Sequence, residues 1–175
     1  SVTLTLDPLV EGDARAMFEY RSDPAVCRYQ SFRPGSLEDV EDFIEGLRND
    51  LFNAPGAWFQ FAIRLTASGE LLGDIGVHFS VDDPREAELG FTVSPVHQGK
   101  GYATEAVIAL VDHLFSLLKK RRVYASVDPR NEASIALLRR VGMWKESHDP
   151  KSLWFKGEWG ADMVFGVLRS EWDER

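Results

Sequence analysis

The order of elements along the 175-residue chain predicts an α+β domain built on a mostly antiparallel sheet, with about four helices against it. The run "VTLTL" alternates as a strand does and passes through the turn signal Asp7-Pro8 into the helical "EGDARAMFEYRS". Three strand-like runs follow, "AWFQFAIRL", "ELLGDIGVHFSV" and "EAELGFTV", separated only by the turn-forming "TASG" and "DDPR". They read as an antiparallel meander. Beyond them the pattern becomes helix, strand, helix and hairpin.

The remaining elements each have a local cause. In "LEDVEDFIEGLRNDL", Leu37, Val40, Phe43, Ile44, Leu47 and Leu51 recur at helical spacing behind Ser36, a plausible cap. "GYATEAVIALVDHLFSLLKK" carries the apolar stripe Ala103, Val107, Leu110, Val111, Leu114 and Leu118 and closes on Lys119 and Lys120, which suit a helix C-terminus. "RVYASVD" is a strand. "NEASIALLRRVG" is a helix capped by Asn131, with arginines in its last turn and Gly142 at its stop. "WFKGEWGADMVFGVL" reads as a hairpin turning near Gly157 or Gly160, and "RSEWDER" as a tail.

Composition narrows the function. With 44% hydrophobic residues and no repeat or linker-like shift, residues 1–175 are expected to form one domain with a substantial core. Cys27 is the only cysteine, so no intramolecular disulfide forms, and a reducing, cytoplasmic compartment is expected. The most apolar helix is interrupted by Asp112 and His113 well short of a membrane span. A formal net charge of -8 opposes binding to nucleic acid and suits a cationic or amine-bearing ligand, although solubility alone would explain it. His78, His97, His113 and His148 lack metal-ligand spacing, His113 is expected to pack within its helix, and no metal is expected.

The densest chemical signal is "VHQGKGYA". A strand ends at Val93 and a helix begins near Gly101, so backbone N–H groups converge on a helix N-terminus, which attracts anions. Gly99 and Gly101 allow close approach, Lys100 adds charge, and Ala103 keeps the first turn narrow. Neither GxxxxGK[ST] nor GxGxxG matches, because Lys100 lies between the glycines and Thr104 stands where a last glycine would be. The glycine pair could also serve only to shape a tight turn.

Read as QxxGxA, Gln98, Gly101 and Ala103 resemble the acetyl-CoA pyrophosphate signature of the GNAT superfamily of N-acyltransferases. "AELGFTV", "HQGKGYATEA", "NEASIALLRRVGM" and "FGVLRSEW" extend the resemblance along the chain, most closely to the Rim-type branch. Named members of that branch acetylate N-termini of ribosomal proteins, and it is also similar to small-amine and antibiotic acetyltransferases. The resemblance implies a strongly twisted sheet whose fourth and fifth strands splay to admit pantetheine. It implies that backbone groups of Phe91, Thr92 and Val93 pair with pantetheine, and that those of Gln98, Gly99, Lys100, Gly101, Tyr102, Ala103 and Thr104 take the phosphates. Asn131 would meet the pantetheine arm, while also fitting a helix N-cap.

An amine attacks a thioester only as the free base. At pH 7 neutrality costs an α-amine about 1 kcal/mol and a lysine-like amine roughly 4 to 5 kcal/mol. By resemblance Glu88 is the general base; alternation places it with Gly90 and Thr92 on one strand face, where it could equally be an exposed acid. Ser134 matches a serine proposed as the acid for the leaving thiolate, and three-residue spacing puts it on the face of Asn131. Tyr102 is a weaker alternative donor, and the N–H of about Val93 would receive the oxyanion.

The acceptor site implied by the resemblance lies among the first helices, the meander and the final hairpin, where Tyr29, Phe32, Trp58, Phe79, Trp154 and Trp159 stand. Acids at Glu38, Asp39, Glu41, Asp42 and Glu45 fall opposite an apolar stripe and read foremost as a solvated face. The reading is an acetyl-CoA-dependent N-acetyltransferase acting, in a ternary complex, on a peptide N-terminus or a cationic small molecule such as an aminoglycoside. The alternatives are a noncatalytic acyl-CoA-binding sensor and, more remotely, a nucleotide-binding regulatory domain. Hairpin aromatics are compatible with a homodimer.

Overall fold

The computed structural model describes residues 4–27, 33–47, 56, 58–155 and 158–174; for residues 27, 147–155 and 158–162 it describes the backbone alone. Strands β1 (Leu4–Pro8), β2 (Trp58–Leu65), β3 (Leu71–Phe79), β4 (Glu86–Val93), β5 (Arg122–Val127), β6 (Trp144–Phe155) and β7 (Glu158–Leu168) form one sheet in the order β1-β2-β3-β4-β5-β7-β6. Every neighbouring pair is antiparallel except β4 and β5. This is the α+β architecture expected.

Helices cover both faces. On one, α4 (Tyr102–Ser116) buries Ala106, Val107, Leu110, Val111, Leu114 and Phe115 against Ile75, Val77, Leu89, Val123 and Phe165 of the sheet. α5 (Glu132–Arg140) adds Leu137 and Leu138 to this core. Each such side chain contributes roughly 1.5–3 kcal/mol. On the other face α1 (Ala14–Arg21) and α3 (Leu37–Leu47) enclose Met17, Tyr20, Val40, Ile44 and Ala62. The Ser36 hydroxyl accepts the Asp39 N–H at 3.2 Å, so it caps α3 as its sequence position suggests. Glu38, Asp39, Glu41, Asp42 and Glu45 are all exposed, the solvated face that their spacing favoured.

Several sequence expectations need correction. α4 stops at Ser116, and Lys119 turns into the left-handed region at φ 56°. Lys120 is therefore not a helix-end charge: it is 5% exposed, donates to the Pro84 carbonyl at 2.8 Å and lies 4.4 Å from the Phe79 ring centroid. Burial lowers its pKa. His113 is exposed rather than packed. A short helix α2 (Pro24–Cys27) follows α1.

The final hairpin starts at Trp144, ten residues earlier than expected, because β6 is an edge strand whose polar "KESHDPKS" shows no alternation. Its Pro150 falls within the register irregularity between Asp149 and Leu153, where a missing N–H is tolerated. Phe155 pairs with Glu158 and Leu153 with Gly160, so Gly160 is inside β7 and not the turn; Gly157 lies outside the described residues. The expected tail forms helix α6 (Arg169–Asp173), too short to show a period, which docks buried Trp172 beside Phe115 and bonds its Nε1 to Asp112 at 2.5 Å.

A buried polar cluster fastens α1 to the sheet. Asp74 of β3 is fully buried, and its carboxylate receives Arg21 Nη2 at 2.5 Å, Gln60 Nε2 at 2.5 Å and the Tyr20 hydroxyl. Gly76 makes this possible, since a Cβ there would run into the Gln60 side-chain amide. Burial and then the Asp74 carboxylate push the Tyr20 hydroxyl well above its usual value, so it remains a donor. Removing Asp74 or Arg21 leaves the buried charge of the other uncompensated. Asp74→Ala is expected to cost about 3–5 kcal/mol in urea unfolding at an unchanged m-value; a loss below about 1 kcal/mol would show that the cluster does not hold α1.

Candidate active site

The site begins where two strands part. β4 and β5 pair in parallel at Glu86 with Arg122, Ala87 with Val123 and Glu88 with Tyr124, and their pairing ends there. β4 nevertheless stays paired with β3 as far as Val93 with Gly73, and β5 with β7 as far as Val127 with Met163. The strands therefore fork after Glu88, as the resemblance implied.

The register determines which backbone groups face the gap. Ser94 N–H donates to the Leu72 carbonyl at 2.8 Å, and Ser80 N–H to the Glu86 carbonyl at 3.2 Å. Main-chain groups of Glu86, Glu88, Gly90, Thr92 and Ser94 are thus directed at β3, and those of Phe91 and Val93 at the gap. This refines the expectation for Thr92: its main chain serves the β3 ladder, and only its side chain is left to meet a ligand. Thr92 is 4% exposed, and its Oγ1 has no hydrogen-bond partner among the described residues.

At the open end a 3-10 turn (Pro95–His97) leads into the glycine loop. Gln98 Nε2 donates to the Val93 carbonyl at 2.9 Å, folding the loop back onto the strand end. Gly99 and Gly101 have φ of 79° and 82°, yet a Cβ at either would meet no atom of the described residues within 4 Å. The left-handed backbone, not crowding, therefore requires glycine at both positions. Gly101 is the N-cap of α4, and no side chain caps that helix, so first-turn N–H groups are available to an oxyanion.

A cleft of about 690 Å³ joins these parts. Phe91, Thr92, Val93, Gln98, Gly99, Gly101, Tyr102, Ala103, Thr104 and Asn131 all line it, and so does Ser134; Lys100 is exposed between the glycines and does not. Asn131 Oδ1 accepts the Ser134 N–H at 3.2 Å, so the residue is a cap as well as a wall. The residues present fit a long ligand that has a diphosphate at one end and an amide-bearing arm at the other. The fit rests on an uncapped helix N-terminus and two outward-facing N–H groups in a forked strand.

Sequence reading missed part of the wall. Ala25 and Val26 of α2 line the cleft, as do His97 and Arg140. His97 Nε2 lies 2.7 Å from Glu70 Oε2, tying the loop to the β2–β3 turn. Arg140 donates from Nε and Nη2 to Thr104 Oγ1 at 3.3 and 3.2 Å, which brings a cation to the first turn of α4. As a last-turn arginine of α5 it reads in sequence only as a dipole partner.

Glu88 stands half-buried at the fork, in a row of side chains that register places on one sheet face: Trp58, His78, Glu88 and Tyr124. Four adjacent strands make that row about 14 Å long. Trp58 is 43% exposed, with its ring centroid 5.1 Å from that of His78. Burial, then the Glu88 carboxylate, hold the Tyr124 phenol above its ordinary pKa against the opposing Arg122, so a neutral hydroxyl stands beside the acid. Alternation along β5 was the signal for Tyr124.

Of the other expected acceptor residues, Tyr29 and Phe32 lie outside the described residues, and so do the side chains of Trp154 and Trp159. Phe79 is a correction: it is fully buried in the core, on the parity of Ile75 and Val77 and on the opposite side of β3 from His78. Among the described residues no group of three or more His, Cys, Asp or Glu could hold a metal, and no helix is long and apolar enough to cross a membrane.

This forked sheet, with a glycine turn feeding an uncapped helix, defines an acyl-CoA-dependent transferase. The model of the acetyltransferase (GNAT) domain matches residues 3–144, and the chain belongs to that family. It is 34% identical over 144 residues to p20 of Bacillus licheniformis, an uncharacterized N-acetyltransferase, covering 82% of this chain and 80% of that one. It is 27% identical over 160 residues to the spermidine N(1)-acetyltransferase of Escherichia coli, covering 90% and 81%. The structure superposes on spermidine N-acetyltransferase from Vibrio cholerae, solved with CoA and spermine, with a TM-score of 0.80 at 22% identity and 97% coverage of each chain. The protein is thus a GNAT N-acetyltransferase, and its acetyl donor is acetyl-CoA.

Arg140→Gln is expected to weaken acetyl-CoA binding about 5- to 10-fold, the equivalent of roughly 1–1.4 kcal/mol, with little change in unfolding midpoint. Calorimetric Kd values for the two proteins check this, and equal affinities would remove Arg140 from the phosphate site.

Proposed function

We propose that the protein transfers the acetyl group to a primary amine of a cationic small molecule by direct attack in a ternary complex, with Glu88 as general base. The observation that carries this reading is the position of Glu88: it is the last residue of β4 to pair with β5, on the open face, beside the point where the Phe91 N–H first turns into the gap. An alkylamine must give up a proton at a cost of roughly 4 to 5 kcal/mol at pH 7, and a carboxylate at that point can accept it directly or through water.

The Phe91 and Val93 N–H groups share one direction, and Phe91 is the nearer to Glu88. It is therefore the better donor to the thioester oxygen than Val93, the sequence-based choice. Ser134 on the opposite wall offers its hydroxyl to the departing thiolate. Trp58, exposed on the same face as Glu88 with His78 between them, offers an aromatic face to a cation, and the chain's net charge of -8 favours the approach of one. The relationship to spermidine N(1)-acetyltransferase supports a polyamine as acceptor.

Following CoA release with spermidine, an aminoglycoside and N-terminal peptides tests the acceptor class; the highest kcat/KM is expected for spermidine. Glu88→Gln should lower kcat by about 10²–10⁴-fold while leaving acetyl-CoA affinity unchanged. An unchanged rate at saturating substrates would remove Glu88 as base. Tight binding of acetyl-CoA with no turnover of any amine would instead favour a noncatalytic acyl-CoA sensor.

A further inference from the structure

Among the strand glycines whose surroundings are described, three make room for a neighbour. A Cβ at Gly73 would strike the Thr92 carbonyl, at Gly76 the Gln60 amide, and at Gly166 the Glu146 carboxylate. Gly90 differs. Among the described residues a Cβ built there meets nothing closer than the Trp58 ring at 4.0 Å, an ordinary van der Waals separation, and its backbone is not in the left-handed region. It lies in regular register opposite Gly76, with no bulge in the β3–β4 ladder.

A glycine inside a strand costs about 0.5–1 kcal/mol relative to alanine, and here neither conformation nor packing offsets that. A further cause of such a glycine is the close approach of a ligand. Its position fits: Gly90 lies between Glu88 and Thr92 on the open face, beneath the edge of Trp58 and next to the gap-facing Phe91. The second, independent observation is the Thr92 hydroxyl, on a residue 4% exposed and without a hydrogen-bond partner among the described residues, one pleat further along the same face. An unmet buried hydroxyl is costly, and a polar ligand group laid along this face would meet it.

We propose that Gly90 is a specificity-determining residue of the acceptor site: the bare strand surface there is where the carbon bearing the reacting amine rests, between Glu88 and Thr92. The inference depends on the transferase reading above. A methyl group at residue 90 occupies the acceptor's place without disturbing the sheet or the diphosphate turn.

Gly90→Ala and the wild-type chain would be compared by unfolding midpoint, by calorimetry with acetyl-CoA, and by steady-state kinetics with spermidine and an N-terminal peptide. The expected result is an equal or higher midpoint, an acetyl-CoA Kd within about twofold, and a KM for the amine raised about tenfold or more. Wild-type KM values in Gly90→Ala for every amine turned over would overturn the inference while leaving the transferase reading intact. So would a midpoint lowered by several degrees or an equal loss of acetyl-CoA binding, since either would assign the glycine to folding or to the donor site. A wild-type protein that binds acetyl-CoA but turns over neither amine would overturn the transferase reading and the inference together.

Discussion

One interrupted ladder of backbone hydrogen bonds organises this molecule. β4 and β5 share three residue pairs and then part, each kept in place by its other neighbour, β3 or β7. Unpaired N–H and C=O groups inside a protein are expensive, so a fork of this kind persists only when other contacts hold both strands. The closed end is held by ion pairs: Glu86 meets Arg121 and, at 2.9 Å, Arg122, which also meets Glu146 on β6. At the open end the N-termini of α4 and α5 line the cleft, so a ligand entering the fork meets helix N–H groups at one end and strand N–H groups along its length.

The two sheet faces divide the work. The α4 face is apolar, and Leu89 and Val123 belong to the core beneath it. The opposite face is polar at its centre, and the Asp74 cluster on β3 lies directly across from Thr92. Clamping α1 there also fixes α2, whose Ala25 and Val26 close one side of the cleft. The charge buried in that cluster is a poor source of stability but a good source of position, because only one arrangement satisfies Asp74, Arg21, Tyr20 and Gln60 together.

Much of this was legible in the letters because its causes are local. Helical period, strand alternation, Ser36 and Asn131 caps and paired glycines before a helix act within a few residues, and they yielded the meander, α3, α4, α5 and the glycine turn. What escaped depends on distant partners. Arg140 joins the cleft wall only because α5 packs on α4, and His78 and Tyr124 flank Glu88 only through strand register. Edge pairing, rather than side-chain pattern, makes a strand of Lys145 to Ser152, and α6 is too short to show a period. Phe79 was misplaced although its parity with Ile75 and Val77 pointed inward; its aromatic character was given more weight than its alternation.

The central claim is that the fork is an unfilled place in the sheet that the donor's amide-bearing arm completes. Residue-resolved amide exchange with and without acetyl-CoA tests this most directly. Phe91 and Val93 N–H should exchange fast in the free protein and become strongly protected with the cofactor, while Thr92 N–H, bonded toward β3, is slow in both states. Protection at Phe91 and Val93 that is already complete in the free protein, or that acetyl-CoA leaves unchanged, would contradict it.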